Sequence, residues 1–406
     1  MNSGEIHLVL GISCSGKSTY IEHQINEGEW TNLPVLMAYE LDANLSNLPD
    51  SDCVVHYNLF RPFDNKADNL DHDFNCDGVL AGLLELNERI KATMLIVHPA
   101  ELSKRILLQE NAEDRLREGN TFYPGRDIFE LLCRLDLQNF YNQWLKLFGQ
   151  HRINVRIVNA ETTAYENIPS SDALTALLNE EKYANYSDQD IEQIINRNDF
   201  EYQRIQLGNN LETEGDDRSP SLALLDNDLS GKSVLDIGCA YGFFCFEAEK
   251  RNAAKVVGTE LKRHRFIGAN IVKAVTGSSA EIRYQDIFSE PLNCTFDIVL
   301  LLNVLHHLKE PIHALRMIAK LCTEKLIIEF PTLADEKFNS TLTDPLKTEA
   351  SHPLIGVSLQ GEIDQTFLFS PLSIKRILQN HEQLFSSIEF IKSPMNSQRC
   401  VAICKK

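Results

Sequence analysis

The sequence predicts an α/β protein built from two doubly wound parallel sheets. At 406 residues the chain is longer than the roughly 250–300 residues at which a single hydrophobic core stops growing. Apolar runs typical of strands alternate with helical patterns in two separate series, and each series has a glycine-rich turn after its first strand. Such alternation favours parallel sheets that are covered by helices on both faces.

The first series lies within residues 1–163 and predicts the first domain. Its pattern indicates strands at 7–10, 35–41, 53–59, 93–98 and 154–159, and helices at 17–26, 78–90, 101–117 and 127–148. Residues 164–208 are polar and mostly helical in pattern, so we expect a connector that packs on the second domain, with Ser187 as a helix N-cap.

The second series lies within residues 209–406 and predicts the second domain. Its pattern indicates strands at 233–237, 255–258, 281–284, 297–302, 325–330, 387–391 and 400–405, and helices at 243–251, 264–275, 311–322 and 371–379. The two series resemble each other only in this alternation, because no repeat of fixed period relates them.

Charge and cysteine content limit the partners and the compartment that we expect. Acidic residues number 58 against 39 basic ones, a net charge of -19, which repels nucleic-acid phosphates at long range and makes a nucleic-acid partner less favoured. The basic run at 261–266 could hold an anion or form an exposed helix face. Ten cysteines without CxxC pairs are typical of reduced thiols. With no predicted signal peptide or membrane span, we expect a cytoplasmic protein.

The first glycine-rich turn, GISCSGKS, fits the phosphate-binding pattern GxxxxGK[ST] between a strand and a helix. Its glycines let backbone N–H groups approach a polyphosphate closely. Lys17 is expected to neutralise the β and γ phosphates, and the Ser18 hydroxyl to ligate Mg²⁺. The turn therefore predicts a site for ATP or another nucleoside triphosphate, formed by Gly11, Ser13, Cys14, Ser15, Gly16, Lys17, Ser18 and Thr19.

Two further stretches of the first domain suggest phosphoryl transfer. Glu40 and Asp42 follow the second strand, where ligands bind parallel sheets, and either could accept a proton, hold Mg²⁺ or be an exposed loop acid. After the fourth strand come Lys104, Arg105, Arg115 and Arg117. Over residues 5–160 this arrangement resembles small-molecule kinases of the nucleoside monophosphate and gluconate kinase type, in which lid arginines close over the transferring group.

That resemblance implies catalytic roles for Lys17, Glu40, Asp42, Arg105 and Arg115. Exposed helical charge is the alternative for each arginine. The third strand ends in HYNLFRP, at 56–62, without the acid that usually holds the metal in a Walker B strand. This departure leaves the Mg²⁺ ligands beyond Ser18 undefined.

The second glycine-rich turn lies in VLDIGCAYG, from Val234 to Gly242, and Glu260 follows 18 residues later at the end of the next strand. Over residues 209–406 the chain resembles class I S-adenosylmethionine-dependent methyltransferases, with the last two strands as an antiparallel edge. The resemblance implies that Asp236 and the turn face the methionine end of the cofactor and that Glu260 binds the ribose. The implied cofactor-binding residues are Asp236, Gly238, Cys239, Ala240, Tyr241, Gly242, Glu260, Leu261, Asp286, Ile287 and Asn303.

The stretch RIQLGNNLETEGDDRS, at 204–219, resembles the branch with tRNA wobble-uridine carboxymethyl transferases and sugar or small-molecule O-methyltransferases. This implies an upstream segment that folds over cofactor or acceptor, with Arg218 as an anion contact or an ordinary salt bridge. His306 is a candidate base and His307 a candidate substrate contact. Either histidine could instead only fix its loop, and no third ligand with metal-site spacing is apparent.

Together the two turns predict a bifunctional kinase–methyltransferase that phosphorylates and methylates a carbohydrate, glycan or other small-molecule acceptor. One alternative is an RNA-modifying enzyme, acting on tRNA, with an accessory phosphate-loop domain. Another makes the first domain a nucleotide-dependent regulatory module, with methylation as the activity of the second. The sequence leaves the acceptor, the order of the reactions and the oligomeric state open.

Overall fold

The chain folds into two compact units, Met1–Tyr186 and Ser187–Lys406. The structure, a computed structural model, describes residues 4–62, 73–109, 125–333, 352–357 and 367–406. The boundary between the units divides the predicted connector, so residues 164–186 fold with the first unit and residues 187–208 with the second.

The first unit has a parallel sheet in which β1 occupies the centre. The strand order is β2-β3-β1-β4-β5, with β1 Ile6–Gly11, β2 Val35–Met37, β3 Cys53–Asn58, β4 Ile90–Ile96 and β5 Val155–Asn159. The helices are α1 Lys17–Asn26, α2 Gly78–Glu85, α3 Pro99–Leu108, α4 Gly125–Arg134, α5 Leu137–Gln150 and α6 Ser171–Leu178. Because β3 and β4 flank β1, their carboxyl ends lie beside the turn that follows β1.

Capping side chains set several helix ends in the first unit. The single helix predicted at 127–148 is wrong, because the Asp136 carboxylate accepts the backbone N–H of Asn139 and starts α5 anew. An aspartate is well suited to this N-cap position and poorly suited to a helix interior. The sheet packs against an aromatic core that includes the fully buried Trp144 and Phe148.

The second unit has a seven-stranded sheet in which β14 alone runs against its neighbours. The order is β13-β14-β10-β9-β6-β7-β8, with β6 Ser233–Ile237, β7 Lys255–Glu260, β8 Glu281–Tyr284, β9 Phe296–Leu302, β10 Cys322–Pro331, β13 Ser387–Lys392 and β14 Arg399–Lys405. A separate antiparallel pair joins β11 Ile355–Val357 to β12 Phe367–Phe369. The predicted α/β class, the parallel sheets and the antiparallel last strand are thus confirmed.

The helices of the second unit are α7 Asp188–Arg197, α8 Phe243–Lys250, α9 Arg263–Thr276, α10 Pro311–Leu321 and α11 Pro371–Lys375. Ser187 forms the predicted N-cap of α7, and Asp190 completes a capping box with it. The helix predicted at 371–379 changes to a π-helical turn after Lys375. No helix in the described ranges is both long and apolar enough to span a membrane.

Candidate active site

The glycine-rich turn of the second unit joins β6 to α8 through left-handed backbone. Gly238 has a φ of 73°, Ala240 of 54° and Gly242 of 88°. A Cβ atom on Gly238 would lie 2.6 Å from Cγ2 of Val304, so both the backbone conformation and the close approach require glycine. The N–H groups of Gly238 and Cys239 both donate to the carbonyl of Thr259, at 2.8 and 3.0 Å. The turn is therefore held against the end of β7.

Two buried carboxyl groups lie beside this turn, at the ends of the adjacent strands β6 and β7. Asp236 is 2% exposed and Glu260 is 5% exposed. One oxygen of Glu260 accepts the Ala240 N–H at 2.9 Å and the other accepts the Lys262 N–H at 2.7 Å. Each carboxylate oxygen can accept a second hydrogen bond, so Glu260 can still bind ligand hydroxyls.

The ionisation state of Asp236 depends on its surroundings. Burial, followed by the negative charge of Glu260, raises the pKa of Asp236 to about 7. The thiol of Cys245 lies 3.8 Å from its Oδ2. A carboxyl group with a near-neutral pKa ionises readily when a cation binds beside it, because the opposite charge stabilises the carboxylate.

Three more side chains that the resemblance implies for cofactor binding follow β7 and β8 at the same edge of the sheet. Leu261 follows Glu260 directly and is 60% exposed, which leaves an apolar surface next to the two acids. Ile287 is buried beyond the end of β8, which pairs with β7. Asp286 accepts the N–H of Phe288 at 3.0 Å, which fixes the loop after β8.

A buried polar network lies below the loop after β9. Asn303, with a φ of 60°, donates from Nδ2 to Glu329 Oε2 at 2.6 Å. Ser393 donates to the other oxygen of Glu329, and Arg399 donates to Asn303 Oδ1. Glu329, which is 2% exposed, was not predicted. An acid inside the apolar run LIIEF was a usable signal, because a carboxylate buried in a strand is rare unless it is paired.

The two histidines after Asn303 differ in burial. His306 is 1% exposed, whereas His307 is exposed, and their ring centroids are 4.1 Å apart. His307 is therefore the member of the pair that an acceptor can reach from solvent. The role of His306 as a base stays a prediction.

Most of the second unit matches a known protein family. Residues 217–381 match the family model described as a methyltransferase domain. The second unit contains a methyltransferase domain.

Curated relatives share part of the same sequence. An ubiquinone biosynthesis O-methyltransferase of Neisseria meningitidis serogroup A is 31% identical over 110 residues, which cover 26% of this chain and 46% of that protein. A tRNA U34 carboxymethyltransferase of Campylobacter jejuni is 26% identical over 132 residues, which cover 32% of this chain and 45% of that protein. The chain thus spans less than half the length of these relatives.

Among solved structures, the N-terminal domain of EvdMO1 in the presence of SAH and D-fucose is similar to this chain. The match covers 54% of this chain and 97% of that chain, with 17% sequence identity and a TM-score of 0.42.

The segment upstream of the methyltransferase sheet is bound to the glycine-rich turn. The buried side-chain oxygen of Gln203 accepts the Tyr241 N–H at 2.9 Å and the Phe243 N–H at 3.5 Å. The Tyr241 hydroxyl donates to the Asp199 carbonyl at 3.0 Å, and Thr213 Oγ1 donates to the Gln203 carbonyl at 2.6 Å. Gln203 was not predicted, because no motif in the sequence marks a contact made across some 38 residues.

The glycine-rich loop of the first unit folds around the ammonium group of Lys17. Lys17 Nζ donates to the carbonyls of Gly11 and Ile12 at 2.9 and 2.8 Å. Gly16, with a φ of 87°, is the N-cap of α1. The end of β3 also contacts this loop, since Asn58 Nδ2 donates to Ser13 Oγ at 2.8 Å. The end of β3 therefore has the amide of Asn58 where a Walker B strand usually has the metal-holding acid.

A cavity of about 620 Å³ opens at this loop. Its wall includes Lys17, Ser18, His56, Arg105 and Glu161. Arg105 donates to the carbonyls of Ala160 and Glu161 at 3.2 and 3.0 Å and pairs with Glu101 at 2.9 Å. These bonds hold the Arg105 guanidinium beside the glycine-rich loop, within 3.7 Å of a Cβ placed on Gly16.

The other predicted kinase residues are placed differently. Glu40 accepts the N–H of Met37 at 2.9 Å, and Asp42 accepts the N–H groups of Asn44 and Ser46. The hydrogen bond from Ser46 holds the pKa of Asp42 below its ordinary value. These carboxylates bind their own loop and are not on the described wall of the cavity. Arg115, like Arg117, lies outside the described residues.

Proposed function

We propose that the methyltransferase domain transfers a methyl group from S-adenosylmethionine to a small-molecule or glycan acceptor. The observation that carries this proposal is the pair of buried acids, Asp236 and Glu260, beside a glycine-rich turn at the carboxyl ends of adjacent parallel strands. Ligands of open parallel sheets bind at this edge, and an acid after the second strand is suited to two ribose hydroxyls.

Different residues of this site would contact different parts of the cofactor. Glu260 would accept hydrogen bonds from the ribose, and the exposed Leu261 would pack against the adenine. Asp236 would ionise beside the cationic end of the cofactor. When bound, the cofactor supplies an electrophilic methyl group on a sulfonium sulfur.

The loop after β9 would bind and activate the methyl acceptor. Methyl transfer requires an aligned nucleophile, and a hydroxyl acceptor gains from a base that takes its proton. His306 would provide that base, and His307, on the exposed side, would contact the acceptor. The Gln203 segment, bonded to the glycine-rich turn, would limit water access.

Cofactor binding is tested by calorimetric titration of the full chain with S-adenosylhomocysteine. We expect Glu260→Ala to weaken binding about tenfold or more, because two hydroxyls lose a charged acceptor. Glu281→Ala removes an exposed acid from the neighbouring strand β8 and serves as the matched control. Equal affinity of Glu260→Ala and the native protein would remove the basis of the assignment.

We further propose that the first unit binds ATP or another nucleoside triphosphate and transfers its terminal phosphoryl group. Lys17, Ser18 and Arg105 line one cavity, which supports polyphosphate binding by a fixed guanidinium, an ammonium and backbone N–H groups. Ser18 would hold Mg²⁺. With Asn58 at the end of β3, the other metal ligands would be phosphate oxygens and water.

A bifunctional enzyme that acts on one carbohydrate, glycan or small-molecule acceptor is our preferred function. We also propose a cytoplasmic location, because all ten cysteines are free thiols. The similarity to a tRNA U34 carboxymethyltransferase favours a second candidate, methylation of tRNA with an accessory first unit. The net charge of -19 opposes that candidate. The backbone bonds of Glu40 and Asp42 favour a third, in which the first unit only senses a nucleotide.

One assay separates the three candidates. The native protein and Lys17→Ala are incubated with labelled ATP and labelled S-adenosylmethionine, together with free sugars, glycans or tRNA. A phosphorylated and methylated sugar or glycan supports the bifunctional enzyme, with the phosphoryl transfer lost in Lys17→Ala. Methylated tRNA as the only product supports the second candidate. Methyl transfer that responds to ATP without any phosphorylated product supports the third.

A further inference from the structure

Two arginine side chains of the methyltransferase domain lie against the ring of Tyr202. Arg265, in the first turn of α9, has its Cζ 3.9 Å from the ring centroid, and Arg218 has its Cζ 5.4 Å away. The ring also contacts Tyr241 of the glycine-rich turn, at 6.4 Å between centroids. The cluster therefore joins the upstream segment, the turn and the start of α9.

The hydrogen-bonding capacity of these arginines is largely unused. Each guanidinium carries five N–H donors. Arg218 donates to Asp216 at 3.2 Å, and that carboxylate is 71% exposed. The guanidinium of Arg265 has no hydrogen bond or ion pair to any residue in the described part of the chain, and the Nε atoms of both arginines are buried without an acceptor. Leaving a buried donor without an acceptor is unfavourable, so an acceptor is expected here.

The arrangement is suited to an anion. Stacking on a ring leaves the N–H edge of a guanidinium free to bind two oxygens of a phosphate or carboxylate. The helix that begins beside Arg265 has 14 residues, and its N-cap Lys262 contributes no side-chain cap. The positive end of the helix dipole adds to the two guanidinium charges.

The location relates the cluster to the cofactor site. Arg265 is five residues beyond Glu260, and Tyr202 precedes Gln203, whose side chain bonds the glycine-rich turn. Since the net charge of -19 repels anions at long range, binding must come from these short contacts.

We propose that Arg218, Tyr202 and Arg265 form a site for a phosphate monoester on the methyl acceptor. This inference rests on the proposed methyltransferase function. Transfer of a phosphoryl group to a hydroxyl produces such a monoester, so a phosphorylation must precede methylation of this acceptor. The first unit is the candidate for that earlier step.

The test uses inorganic phosphate as the probe and calorimetry of the full chain. The experiment is done in a Lys17→Ala background, so that the phosphate loop of the first unit contributes little. We expect Arg265→Gln to weaken phosphate binding about tenfold and Arg218→Gln about threefold, because Arg218 shares its donors with Asp216. Arg283→Gln, which removes an arginine paired with Glu281 on β8, should leave phosphate affinity unchanged.

Further measurements fix the meaning of each result. Arg265→Lys keeps the charge but loses the fork and the ring contact, and we expect a loss similar to that of Arg265→Gln. Phosphate should bind more tightly than acetate, and the reverse order would overturn the assignment of a phosphate. Unchanged phosphate affinity in a folded Arg265→Gln protein, as judged by circular dichroism, would also overturn the site.

The cofactor gives the last distinction. S-adenosylhomocysteine should bind the arginine variants and the native protein equally. A tenfold loss in Arg265→Gln would mean that these arginines hold the carboxylate of the cofactor, which overturns an acceptor site. Failure of the native protein to bind S-adenosylhomocysteine would count against the proposed function, while the phosphate titration would still decide whether the anion site exists.

Discussion

Replacing Asp236 by asparagine should change the pH dependence of stability in the methyltransferase domain. Burial and the charge of Glu260 raise the pKa of Asp236 from its ordinary value of 3.8 to about 7. The difference, 7 minus 3.8, is about 3 units, and at about 1.4 kcal/mol per unit it corresponds to about 4 kcal/mol. Because the folded-state pKa is the higher one, a protonated Asp236 favours the folded state. This contribution to the free energy of unfolding is complete below about pH 4 and is lost as the pH rises to 7.

The measurement is urea denaturation of the native protein and Asp236→Asn between pH 4 and 8, followed by circular dichroism. Asparagine has nearly the same shape and does not titrate. We therefore expect the free energy of unfolding of the variant, relative to the native protein, to increase with pH by up to about 4 kcal/mol. Both tryptophans, Trp30 and Trp144, belong to the first unit, so tryptophan fluorescence should report an unchanged transition.

A second variant controls for the direction of the effect. Hydrogen bonds from Ser233 lower the pKa of Asp297, so its stabilisation is present above the unfolded-state pKa and is lost as the pH falls. Asp297→Asn should therefore lose stability relative to the native protein at neutral pH and lose less in acid. Parallel pH curves for Asp236→Asn and the native protein would refute the raised pKa of Asp236.

Four more substitutions test the turns and the core. Gly238→Ala should weaken S-adenosylhomocysteine binding about tenfold or more, because the new Cβ would lie 2.6 Å from Val304. Gly231→Ala has the same φ of 73° with nothing within 4 Å and should lose only about 1–2 kcal/mol of stability; equal cofactor affinity in the two variants would contradict the steric argument. Lys17→Ala should abolish ATP binding in calorimetry and leave S-adenosylhomocysteine affinity unchanged. Asp77→Ala breaks the ion pair with Arg61 at 2.8 Å and should lower the stability of the first unit by about 3 kcal/mol, measured by tryptophan fluorescence; a loss below about 1 kcal/mol would show that the pair is weakly coupled.

Local signals accounted for the fold and for the position of both turns. The predicted bounds of the helix at 17–26 and of the strand at 233–237 match the structure. Each of these elements adjoins a glycine-rich turn, and the glycines mark within a few residues where the element begins or ends. Other ends were missed for equally local reasons, as at Asp136, where capping competes with helix continuation.

The sequence by itself determined that glycines and acids follow the carboxyl ends of strands in both units. This was possible because the alternation of strands and helices and the left-handed turns depend on residues that are neighbours along the chain. Only the tertiary structure decided which side chains meet there. The bond from Gln203 to the turn, the Glu329 network and the stacking of Arg265 on Tyr202 join residues that are far apart along the chain. The same holds for Asp236, because burial and the approach of Glu260 arise only when β6 and β7 pair.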